Sequence, residues 1–77
     1  MMREELLEIL NDMDDTIDYE NEQALIDDRL IDSMAVISLV TELEDTFDIS
    51  ISASEIIPAN FNSLDAMLAM IERLQED

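Results

Sequence analysis

The sequence predicts a small all-α bundle of three main helices and one short helix, with a long first loop. Three observations carry this. Apolar residues recur at helical spacing in three separate segments. No pair of alternating segments offers two strands that could form a sheet. The chain has 77 residues, of which 48% are hydrophobic, so one domain over residues 1–77 is expected, with a thin core.

The first stripe is Met2, Leu6, Ile9, Leu10 and Met13. On an ideal helix these fall within an arc of about 100°, with the acids Glu4, Glu5, Glu8 and Asp12 mostly off it. A helix over 2–13 follows, ended by Asp14-Asp15. Residues 14–32 show no sustained period and form the long loop. Its isolated apolar residues, Ile17, Tyr19, Leu25, Ile26, Leu30 and Ile31, suggest a loop pinned onto the core. The second stripe, Val36, Leu39, Val40, Leu43 and Phe47, predicts a helix over 33–47. Ile49-Ser50-Ile51 alternates but has no partner strand, so it reads as a linker. Ser54-Glu55-Ile56-Ile57 reads as one short helical turn (54–57), stopped by Pro58. The last stripe, Leu64, Met67, Leu68, Ile71 and Leu74, predicts a helix over 63–75. Asn62 is its expected cap, with Asp65 reaching back.

Charge and missing residue types exclude much chemistry. Twenty-one acids against three basic residues give a formal net charge of −18, and the chain has no His, Cys or Gly. Phosphate-rich partners such as nucleic acid or anionic membranes would be repelled, and basic proteins are the expected partners. Without Cys there is no disulfide framework or thiolate metal site. Without His the commonest general base and zinc ligand are missing. An EF-hand reading of the acidic run from Asp12 fails, because position 12 of the loop is Gln23, or Leu25 if counted from Asp14, and the required Gly is absent. No histidine base or Gly-rich elbow supports a hydrolytic serine. No catalytic residue and no metal site is therefore assigned, and the chain is not expected to be an enzyme. No apolar run reaches membrane-spanning length, and the acidic N-terminus shows no signal peptide, so a cytoplasmic monomer without membrane insertion is expected.

The informative spot is Asp32-Ser33, at the junction of the long loop and the second helix. Alone, the pair reads as an N-cap. Two features add to it. Met34 and Ile37 lie roughly 170° and 110° from the centre of the core arc. They share a face with Ser33, Thr41 and Glu44, which makes an apolar contact surface with Glu42 and Asp45 as further acids of its rim. A serine at a helix N-terminus also suits a phosphate ester, because free N–H groups and the helix dipole favour an anion there.

On these residues the sequence resembles the acyl carrier protein family. The run Leu30-Ile31-Asp32-Ser33-Met34, followed by Val36, Leu39, Val40, Leu43, Glu44 and Phe47-Asp48, looks like the family's Asp-Ser-Leu signature and the helix after it. Ile51 and the Asn62-Ser63-Leu64 start of the last helix fall where family members place them. The resemblance implies an acyl-carrier-like bundle. It also implies a covalent 4′-phosphopantetheine arm on Ser33, taken from coenzyme A by a phosphopantetheinyl transferase. Acyl cargo would ride as a thioester on the terminal thiol, for fatty acid or polyketide-type biosynthesis. Asp32 would help hold the transferase's magnesium or cap the helix. The expected partners are the transferase, a loading ligase or transferase, and biosynthetic enzymes with basic docking patches. This chain departs from many relatives in having Leu30-Ile31 where they have Gly, and Met34 where they have Leu. Asp-Ser-Met and Asn60-Phe61-Asn62-Ser63 are also similar to D-alanyl and peptidyl carriers, so a D-alanyl or aminoacyl carrier served by an adenylating ligase is the alternative within the family. An acidic helical adaptor with no prosthetic group is the alternative outside it.

Overall fold

The structure, a computed structural model, describes residues 2–76. It holds helices α1 (Met2–Met13), α2 (Ser33–Phe47), α3 (Pro58–Phe61) and α4 (Leu64–Glu76), with a 3-10 turn at Ala53–Glu55. No strand occurs among the described residues, so the fold is all-α. None of these helices is long and apolar enough to cross a membrane.

The apolar stripes become the inner faces. α1 buries Leu6 and Leu10, α2 its whole stripe from Val36 to Phe47, and α4 Leu64, Met67 and Ile71. Each such side chain contributes about 1.5–3 kcal/mol on burial. Met70, outside the last stripe, is buried as well, because α4 packs against both α1 and α3 and needs a wider apolar face.

The long loop is fastened at three points. Asp14 Oδ1 accepts hydrogen bonds from the Thr16 N–H (3.0 Å) and hydroxyl (2.6 Å), closing a turn at the end of α1. Those bonds hold the Asp14 carboxyl below its ordinary range. Tyr19 is buried, and its single hydroxyl proton is shared between the carbonyls of Leu10 (3.0 Å) and Asp14 (2.7 Å). Burial, reinforced by the charges of Asp14 and Asp15, pushes the Tyr19 phenol up to about 12. Leu25 is fully buried, and its N–H donates to the Asn62 carbonyl at 2.9 Å.

Two local expectations are corrected. The short helix expected at 54–57 is instead a 3-10 turn at Ala53–Glu55 followed by a separate one-turn helix that begins at Pro58. Pro58 starts a helix because its missing N–H is not needed in a first turn and its fixed φ suits that position. Asn62 does not cap α4. Ser63 does, its Oγ accepting the Ala66 N–H at 3.0 Å. The Asn62 side chain turns to the long loop instead, where Oδ1 accepts from Ile26 (3.0 Å) and Asp27 (3.1 Å) and Nδ2 donates to Asp27 Oδ2 (3.1 Å). Asp65 does not reach back either; it pairs with Arg3 at 3.0 Å.

Candidate functional site

The approach to Ser33 is a turn built from the loop's last residues. The Arg29 N–H bonds to the Ile26 carbonyl (3.0 Å) and the Leu30 N–H to the Leu25 carbonyl (2.9 Å). This paired pattern closes a helical turn through a left-handed residue, here Arg29 with φ 59°. Leu25 anchors one end of the turn in the core, and Ile31, also buried, anchors the other. Asn62 holds the turn's free amides from across the chain. The backbone entering Asp32 is thus fixed at both ends.

Asp32 then caps α2. Its backbone is extended (φ −84°, ψ 173°), and its Oδ1 accepts the Ala35 N–H at 2.8 Å. Ser33 is the first helical residue and is exposed. Its hydroxyl carries no structural hydrogen bond among the described residues, and the first-turn amides of Ser33 and Met34 have no partner within the helix. The serine is therefore free to be esterified without dismantling the cap.

Beside Ser33 lies an open, largely apolar cleft of about 710 Å³ between α2, the end of the long loop and the 3-10/α3 segment. Ile26, Ile31, Val36, Ile37, Ile56 and Phe61 supply apolar surface, and Arg29, Asp32 and Ser33 its polar edge. Arg73 on α4 fixes the far wall through a two-point pair with Glu55, at 2.9 and 2.7 Å. That pairing holds the Glu55 carboxyl below its ordinary range. Asn60 adds a 2.7 Å bond to the Glu55 carbonyl.

The residues expected to meet partners divide into two groups. Met34 and Ile37 stand out from α2, 73% and 59% exposed, and their spacing of three places them on one helix face. Thr41 and Asp45 are also exposed. Glu44 is half-buried, and its Oε2 accepts the Ile51 N–H at 2.8 Å, so it fastens the segment after α2 rather than standing as a free rim charge. The sequence reading missed the cleft and Arg29. The signal for the far wall was Ile56-Ile57-Pro58, an apolar run with no place on any core stripe. Arg29 gave no signal, because its left-handed backbone and its place on the cleft are set by the folded turn.

This geometry defines a small helical bundle with an accessible serine at a helix N-terminus. The sequence pattern of the phosphopantetheine attachment site family matches residues 3–71. The D-alanyl carrier protein of Lactobacillus helveticus is 32% identical over 74 residues, covering 94% of this chain and 92% of that protein. The D-alanyl carrier protein of Lactococcus lactis subsp. lactis is 27% identical over 78 residues, covering 99% of each. The chain belongs to the phosphopantetheine-binding carrier family. It is a non-catalytic carrier with covalently attached 4′-phosphopantetheine. The site suits that group: an unengaged hydroxyl, open first-turn amides, one cation and an adjoining apolar cleft meet within it.

Proposed function

We propose that this chain carries an aminoacyl cargo, D-alanyl in the first instance, on an arm attached to Ser33. The observation that carries the reading is near full-length similarity to D-alanyl carrier proteins. It favours the aminoacyl alternative over the fatty acyl or polyketide cargo put first on sequence grounds. The arm supplies the terminal thiol that a chain without cysteine lacks, and it holds cargo as a thioester. Ser33 presents the acceptor oxygen, Asp32 holds the helix end in place, and the protein itself moves no proton. A phosphopantetheinyl transferase and an adenylating ligase, working in the cytoplasm, are the partners. Met34 and Ile37 provide apolar contact, with Thr41, Asp45 and Glu42 around them.

The test is intact mass and peptide mapping after incubation with coenzyme A and a broad-specificity transferase. The loaded protein is then offered D-alanine or fatty acids with the matching adenylating ligases. One phosphopantetheinyl group on Ser33, followed by D-alanyl gain, is expected. An arm on another residue, or full loading of Ser33→Ala, overturns the attachment site. Charging by a fatty acyl ligase alone returns the cargo to the acyl class, for which the apolar cleft offers a wall.

A further inference from the structure

Arg29 stands apart from the other two arginines. Arg3 pairs with Asp65 and Glu20, and Arg73 with Glu55, so both hold the fold together. Arg29 is exposed, and its side chain has no hydrogen bond or ion pair among the described residues. Yet Asp27, Asp28 and Asp32 lie within three residues of it in sequence. Its backbone adopts φ 59°, a left-handed conformation that disfavours any side chain with a Cβ and where glycine is the usual occupant. An arginine is tolerated here because the turn is held by Leu25, Ile31 and Asn62. Arg29 lines the same cleft as Ser33.

Taking the arm on Ser33 as read above, we propose that the Arg29 guanidinium pairs with the phosphodiester at the base of that arm. A phosphodiester on Ser33 adds an anion to a chain of net charge −18 and sits next to Asp32. The first-turn amides of α2 offset part of that repulsion. Arg29, the one unengaged cation among the described residues that line the cleft, offsets more, and its planar guanidinium matches two phosphate oxygens at once. The pairing holds the base of the arm at the cleft's polar edge. It also gives a physical role to a side chain that makes no hydrogen bond or ion pair among the described residues although its backbone occupies a disfavoured conformation.

The experiment uses full-length apo and arm-bearing protein, with intact mass confirming attachment. The Arg29 Nε–Hε resonance is compared between the two forms, and the phosphorus resonance is followed from low to high salt. Arg29→Asn removes the charge but keeps a residue that accepts the left-handed region, whereas Arg29→Lys keeps the charge. We expect the Arg29 Nε–Hε signal to shift on arm attachment and to return toward its apo position at high salt. The salt response of the phosphorus signal should be lost in Arg29→Asn and partly kept in Arg29→Lys. An Arg29 signal identical in both forms overturns the pairing, and that measurement needs no variant. So does a phosphorus response unchanged by Arg29→Asn, even if loading slows, since Arg29 would then serve the docking enzyme. Failure of the arm to attach to Ser33 shows in intact mass together with peptide mapping, independently of the Arg29 signals, and removes the reading beneath the proposal.

Discussion

At the scale of single residues, Asp32 and Ser33 divide two tasks that the sequence left joined. Asp32 caps α2, and the Ser33 hydroxyl makes no structural hydrogen bond among the described residues. Ser33→Ala should therefore abolish loading while leaving the unfolding midpoint almost unchanged. Asp32→Ala should cost about 0.5–2 kcal/mol as a lost cap, read by chemical denaturation. Tyr19 gives a second residue-level test. Its phenol titrates near 10 when unfolded and is pushed up to about 12 in the fold. The folded state thus keeps a proton that the unfolded state releases. The associated stability is fully present below pH 10 and is lost as pH rises from 10 through 12. Tyr19→Phe should flatten that decline and cost about 1 kcal/mol at neutral pH, because two carbonyls lose their shared donor. A wild-type stability profile that stays level from pH 9 to pH 12 would count against the buried phenol.

At the scale of elements, the faces of α2 make separable predictions. Leu43 is fully buried, so Leu43→Ala should cost about 2–5 kcal/mol and impair loading only through unfolding. Ile37 is 59% exposed, so Ile37→Ala should leave stability nearly intact and weaken productive docking. If Ile37→Ala unfolds the protein and Leu43→Ala is silent, the docking face is assigned to the wrong side. Glu44 changes role between sequence and structure. Glu44→Ala should cost about 1.5–3 kcal/mol, since the Ile51 amide loses a charged acceptor, and Glu44→Gln should recover part of it. The fold class was legible because the three stripes are long enough for period to show through, and their residues supply most of the core. The elements between residues 52 and 63 were not. Pro58 is compatible both with stopping one helix and with starting the next, and only the preceding 3-10 turn decides. Ser63 and Asn62 are both good caps, and the choice between them rests on the loop turn at Ile26 and Asp27, more than thirty residues away in sequence. Glu44's bond to Ile51 is likewise a tertiary contact that helix spacing alone does not encode. The exposed serine after an acidic cap was legible because both lie in adjacent positions at one helix boundary. The cleft beside it joins three segments and was not.

At the scale of the whole molecule, charge opposes folding and assists encounter, so salt should move the two in opposite directions. The radius of gyration is 11.2 Å, close to the Debye length of about 10 Å at 0.1 M salt. Most of the 21 acids therefore repel one another at low ionic strength, against only three basic residues. Added salt should raise the melting temperature, and each kcal/mol gained should appear as roughly 4–8 °C in a domain of this size. Among the described residues no cluster of three or more acids is arranged to hold a metal ion. As a divalent ion, magnesium should act as a stronger screening ion than sodium, with a graded dependence on concentration, and saturation at one equivalent would point to a specific site instead. Loading by a transferase with a basic docking face should respond the other way. Its second-order rate constant should fall as salt rises, because the same field that strains the fold steers the encounter. Ile37→Ala should lower that rate constant at every salt concentration with little change in the slope, since it removes contact and not charge. Asp45→Asn should instead reduce the slope. A loading rate that rises in step with the melting temperature would show that folding, and not steering, limits loading, and the acidic surface would lose its assigned part in recognition.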